Sequence, residues 1–167
     1  MNDSFILRDR KWRETNERVT LSSYAMLSEE SKGRFKKEDQ DPFRTVFERD
    51  RDRIIHSKTF RRLKHKTQVF INPDGDHFIT RMTHTLNVTQ IGRSIAKTLG
   101  LNPDLTEAIC LGHDVGHSPF GHTGEEVLND MLDGGWSHSE NSVKMLSIIE
   151  PLNLTKETIN GIEKHPW

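Results

Sequence analysis

Three residues have the types and spacing to do chemistry: His84 and the adjacent pair His113-Asp114. Neutral imidazoles with a carboxylate make a borderline-to-hard ligand set. That set suits divalent Mn, Fe, Zn, Co or Mg rather than a thiolate-type site, and the single cysteine, Cys110, takes no part. Adjacent helical residues point about 100° apart, so His113 and Asp114 can both reach an ion lying between their directions. An isolated His-Asp dipeptide is common by chance, and a lone buried histidine is ordinarily a satisfied core residue. Context strengthens the signal. The stretch GHDVGHSPFGHTGEE packs three histidines and three acidic residues into a short helix-loop-helix. Burying that many ionisable groups is costly unless a metal or a substrate compensates.

The elements that carry these residues follow from periodicity and breakers. A helix is predicted from about Thr80 to Leu99, with His84, Val88, Ile91 and Ile95 sharing its buried stripe. Gly100 stops it, and Asn102-Pro103 reads as N-cap and first helical residue of the next. That helix, over 103–115, sets Leu105, Ile109, Gly112 and His113 on or near one face. Pro119 and Gly121 interrupt. Further helices are expected over 123–132, from His138 to Ile149, and from the Asn153-Leu154-Thr155 start to near Lys164. Upstream, FRTVFERDRDRIIHSKTFRRLKHKTQVF reads as largely helical, with apolar Phe47, Ile54, Ile55, Phe60, Leu63 and Val69, and Pro73 and Gly75 end it. No strand alternation and no internal repeat are visible, so the expected class is all-α. Residues 1–45 read as an N-terminal arm, partly extended, and residues 46–167 as one helical domain.

Composition narrows the setting. Hydrophobic residues make up 32% and charged residues 29%, so part of the chain is expected to be exposed or committed to a partner surface. A net charge of −1 does not announce a nucleic-acid binder. No apolar stretch is long enough for a bilayer span, and the N-terminus lacks a secretory pattern. With one cysteine in the apolar run AICLG, a reducing, cytoplasmic setting is expected, with no membrane association.

The blocks RDRDRIIHSKTFRRLKHKTQVF, GDHFITRMTHTLNVTQIGRSIAK, LTEAICLGHDVGHSPFGHTGEE and WSHSENS resemble the bacterial deoxyguanosinetriphosphate triphosphohydrolase-like proteins of the HD phosphohydrolase superfamily. The similarity runs from about Tyr24 to His165. It implies an HD-domain helical bundle and water attack on the α-phosphorus of a deoxynucleoside triphosphate, giving the deoxynucleoside and inorganic triphosphate. His84, His113 and Asp114 match metal ligands for a divalent ion. The family's fourth ligand is an Asp on a later helix, beyond residue 167, so the resemblance is to an N-terminal portion, truncated before the last metal-ligand helix.

The resemblance assigns other roles. His122 and Glu125 match a catalytic pair, with Glu125 orienting His122 and His122 handling the proton of the water or leaving group. By itself Glu125 would read as a first-turn carboxylate favoured by the helix dipole. His117 matches a residue over the phosphates. His138 matches another active-site histidine, and reads equally well as a helix-start residue. The family often has Asn-x-x-Gln after that histidine, where this chain has Ser139, Glu140 and Asn141. Arg81, one turn before His84, can grip a phosphate. Gln68 matches a contact to the deoxyribose near its 3′ position, and Lys64 lies one turn before it. The family also implies a homo-oligomer, commonly a hexamer.

Two competing readings remain. One is an HD phosphohydrolase acting on another nucleotide. The other is a non-catalytic module that binds nucleotide or single-stranded nucleic acid, using the basic run Arg61, Arg62, Lys64 and Lys66 with Phe60 and Phe70 as stacking residues.

Overall fold

A computed structural model describes residues 7–66 and 79–166. The expected Gln68, Val69, Phe70, Pro73 and Gly75 lie outside the described residues. Helices carry the fold: α1 (Arg10–Thr20), α2 (Val46–His56), α3 (Lys58–Arg61), α4 (Arg81–Thr98), α5 (Pro103–Gly112), α6 (Gly121–Met131), α7 (His138–Lys144) and α8 (Lys156–Lys164). A 3-10 turn, Arg62–His65, extends α3, and a π-helical turn, Met145–Ile149, extends α7. Among the described residues there is no strand, only an isolated bridge between Arg34 and Thr155, so the chain is all-α. No described helix is long and apolar enough to cross a membrane.

The caps explain the boundaries. Thr45 and Glu48 form a reciprocal capping box at the start of α2. Asn102 accepts from the amides of Asp104 and Leu105, and Pro103 fills the first turn of α5. Ser137 caps α7 and Thr155 caps α8 in the same manner.

Helix α5 is the hub, with α2, α4 and α8 packed on it. The core joins Ile54, Phe60, Leu63, Ala108, Leu111, Val115, Leu146, Leu154 and Ile162. Full burial of a large aliphatic such as Ile54 or Ile162 stabilises by about 1.5–3 kcal/mol. Gly92 lets α4 close on α5, because a Cβ there would sit 2.9 Å from the Cys110 sulfur.

Three sequence expectations need correction. The inward row of α4 is Arg81, Thr85, Thr89 and Ala96, while Ile91 and Ile95 are exposed. The helix turns its small and polar residues towards α5, because only these allow the close approach at Gly92. Phe60 is a core residue, so it is not free to stack a base. The N-terminal arm contains helix α1, which the apolar pattern hid. Ion pairs and hydrogen bonds fasten that helix: Arg13 to Glu48 at 2.7 Å, and Glu17 accepting from the amide and hydroxyl of Ser28, each at 2.7 Å.

A buried polar knot ties the arm to both ends of the domain. The Asp50 carboxylate, fully buried, accepts from the Thr155 amide at 2.8 Å, the Thr155 hydroxyl at 2.6 Å and the Thr158 hydroxyl at 2.8 Å. Arg34 pairs with the same carboxylate and donates to the Asn153 carbonyl at 2.6 Å. This network fixes where α8 begins, and so where His165 arrives at its other end.

Candidate metal centre and its histidine arc

Five segments deliver the site. His84 comes from the first turns of α4, His113 caps the end of α5, and Asp114 follows it. The loop after α5 carries His117, α6 carries His122 and Glu125, and α7 begins at His138. The loop is clamped from outside. Ser142 donates to the His113 carbonyl at 2.9 Å and accepts from the Gly116 amide at 2.9 Å, and Asn141 donates to the Gly116 carbonyl at 2.6 Å. Gly116 is needed there, since a Cβ would lie 2.2 Å from the Ser142 backbone nitrogen.

His84, His113 and Asp114 each offer a ligand atom, all within 4.8 Å of one another. Their state suits a cation. His113 donates from Nδ1 to the Cys110 carbonyl at 2.7 Å, which leaves the Nε2 lone pair for a metal. Burial holds the His113 pKa below its ordinary value, so the ring is neutral. Burial opposes the Asp114 carboxylate, but the neighbouring His113 ring and the Arg81 guanidinium outweigh it and lower its pKa. Arg81 donates to one Asp114 oxygen at 2.9 Å, and the other lies 3.6 Å from His113 Nε2. The donor set therefore fits a divalent ion of the Mn, Fe, Co, Zn or Mg kind.

Beside it lies a second group: His117, His122, Glu125 and His138, whose ligand atoms also fall within 4.8 Å of one another. Glu125 is its centre. It accepts from His122 Nδ1 at 3.2 Å and from His138 Nδ1 and backbone amide at 2.9 and 2.8 Å. Burial would raise the Glu125 pKa, yet the hydrogen bonds from His138 hold it down, so it stays a carboxylate. The His122 side chain is 76% exposed and Glu125 engages its Nδ1, which leaves Nε2 without a hydrogen-bond partner among the described residues. His117 is the opposite case. It is 2% exposed, and among the described residues neither ring nitrogen has a hydrogen-bond partner. Burial, with Arg81 nearby, pushes its pKa down to about 4. A neutral, buried, unpartnered imidazole is a group built to meet a ligand.

The structure thus brings together His84, His113, Asp114, His117, His122, Glu125 and His138. Arg81 is present as well, its guanidinium buried against Asp114. Lys64 is exposed and makes no hydrogen bond to the site among the described residues, and Gln68 lies outside them. Two contributors escaped the sequence. Lys66, read as part of a basic run, turns inward and donates to the Val115 and His117 carbonyls at 3.2 and 2.7 Å. Burial, with Arg62 and Arg81 nearby, lowers its pKa to about 8. His165, at the end of α8, closes an arc of six imidazoles, with ring centroids 5.2 Å from His113 and 4.9 Å from His138. No local pattern marks it; its neighbours are a helix end and Pro166.

Comparison with known proteins adds the family. The HD domain model matches residues 81–166, half of the chain. The chain is 61% identical over 149 residues to a deoxyguanosinetriphosphate triphosphohydrolase-like protein of Caldanaerobacter subterraneus subsp. tengcongensis, covering 87% of this chain and 44% of that relative. It is 58% identical over 160 residues to the protein of the same description in Clostridium tetani, covering 93% of this chain and 46% of the relative. The chain therefore spans less than half the length of these curated relatives. The matched segment starts one turn before His84 and runs past His165, so the whole arc falls inside it, and the chain belongs to the HD domain family.

Proposed function

We propose that this chain carries the hydrolytic site of a deoxynucleoside triphosphate triphosphohydrolase. The observation that carries the reading is the union of two groups. A His-His-Asp set fit for a divalent ion lies next to a carboxylate-oriented histidine, with the unpartnered His117 in the same cluster as that histidine. The relatives' description as deoxyguanosinetriphosphate triphosphohydrolase-like supports a dGTP-like substrate.

In this reading a water oxygen bonds to the α-phosphorus and the bond from that phosphorus to the 5′-oxygen breaks. Inorganic triphosphate and the deoxynucleoside leave. His84, His113 and Asp114 would hold the ion. Once bound, it supplies charge neutralisation at the phosphate and a lowered water pKa. His122 moves the proton at its free Nε2, and Glu125 aims that ring. His117 donates to a phosphate oxygen. Arg81 keeps Asp114 ionised and in place. A homo-oligomer belongs to the same proposal. Burial of Phe60 weighs against stacking of single-stranded nucleic acid on the Phe60–Lys66 segment.

The test is incubation of this chain, and of a form extended through the later metal-ligand helix that the resemblance implies, with Mn²⁺ and each deoxynucleoside triphosphate, resolving triphosphate from smaller products. Triphosphate as the first product is expected. Orthophosphate or pyrophosphate alone would overturn the proposal.

A further inference from the structure

Hydrogen-bond bookkeeping around His138 and His165 leaves one consistent pattern. His165 Nδ1 lies 2.8 Å from the Ile162 carbonyl oxygen. A carbonyl only accepts, so that Nδ1 carries hydrogen. His138 Nδ1 lies 2.9 Å from each Glu125 carboxylate oxygen. An ionised carboxylate also only accepts, so His138 Nδ1 carries hydrogen too. The two Nε2 atoms then meet at 2.9 Å. Facing lone pairs would repel at that distance, so one hydrogen lies between them. The geometry assigns it to His138, whose ring faces the Glu125 carboxylate at 2.9 Å, whereas the other nitrogen of His165 meets only the Ile162 carbonyl. His165 therefore accepts, and its acceptor is held fixed by the Ile162 bond.

We propose that His165 is a positioning residue for the reaction: its Nε2 clamps His138, and His138, donating from both nitrogens, holds Glu125 against His122. Neither nitrogen of His138 is left for substrate. Its task is to fix a carboxylate that it grips twice, by ring and by backbone amide. Helix α8 makes this possible. Its start is locked by the Asp50 knot, and its last residues carry His165 across to α7. A residue far along the chain from His122 thereby sets where His122 points.

The positioning role rests on the hydrolytic reading, but the hydrogen-bond pattern does not. Nitrogen-15 NMR of the imidazoles in the metal-free protein reads that pattern directly. Expected are a protonated His165 Nδ1, two protonated His138 nitrogens, and a coupling across the Nε2–Nε2 hydrogen bond. A His165 ring protonated at Nε2 and bare at Nδ1, or no coupling, would overturn the proposal. Kinetics then separate positioning from mere packing. His165→Gln keeps an acceptor oxygen near the Nε2 position, and His165→Leu removes it. Expected for the Leu variant is a fall in kcat of about 10–100-fold with KM unchanged and metal content unchanged. The Gln variant should recover most of the loss. Equal losses in both variants, or loss of metal in His165→Leu, would instead make His165 a packing support for His113. Should the unmodified protein hydrolyse no nucleotide, the functional reading fails, and the NMR coupling alone decides the clamp.

Discussion

The Cys110 carbonyl holds the Nδ1 hydrogen of His113 at 2.7 Å, and that single bond decides which nitrogen faces His84 and Asp114. The tautomer is set by the backbone of α5 before any ion arrives. Removing a ligand should therefore cost more than removing a supporting partner, which weakens binding by about 10–100-fold. His84→Ala, His113→Ala and Asp114→Ala should each abolish binding of one Mn²⁺ equivalent at concentrations that saturate the unmodified protein, measured by calorimetry and metal analysis. Full occupancy in any of the three would remove that residue from the ligand set.

His122 should behave differently. It touches Glu125 rather than the ligand group, so His122→Ala is expected to lower kcat by about 10²–10⁴-fold while metal content stays unchanged. A variant that loses its metal would show that His122 is a ligand.

Acid should destabilise the fold through the arc. The His117 pKa falls from 6.5 to about 4 on folding because the ring is buried, and those of His113 and His165 fall for the same reason. The unfolded chain takes up these protons at higher pH than the folded one. The contribution to stability is thus complete above pH 6.5 and is lost as the pH falls towards about 4. Denaturant midpoints measured across this range in the metal-free protein should decline, and less so in His117→Phe. A midpoint that stays level or rises on acidification would contradict the neutral, buried state of these rings.

Asp50 offers the clearest stability test. Its carboxylate is fully buried, pairs with Arg34 and accepts three hydrogen bonds from Thr155 and Thr158. Asp50→Ala leaves buried Arg34 with Glu38 as its remaining carboxylate partner, strands the Thr155 and Thr158 donors, and should cost about 3–5 kcal/mol in chemical unfolding. Because the knot sets the register of α8, this variant should also weaken the His138–His165 coupling. A cost below about 1 kcal/mol would place the knot among surface-type ion pairs.

Much of this protein is written locally. Asn102-Pro103 and Thr155 mark helix starts through side chains that cap their own neighbours, and they sit where the sequence puts them. His84 and His113-Asp114 disclose ligand types without any knowledge of packing, whereas the acid–base pairing of His122 with Glu125 rests on the resemblance. What the sequence could not decide depends on partners far along the chain. Ile91 and Ile95 fit the apolar period of α4 but point outward, because the close contact at Gly92 selects the small, polar face. Helix α1 has no apolar stripe to detect, since its partners are Glu48 and Ser28. Lys66 looks like one charge in a basic run until two carbonyls of a distant loop receive it. His165 has no spacing to His138 that a motif could encode; only the path of α8, tied at Asp50, brings their ring nitrogens to 2.9 Å. Periodicity and capping record short-range geometry. The choice of inward face and the meeting of distant imidazoles arise from packing, which only the assembled helices determine.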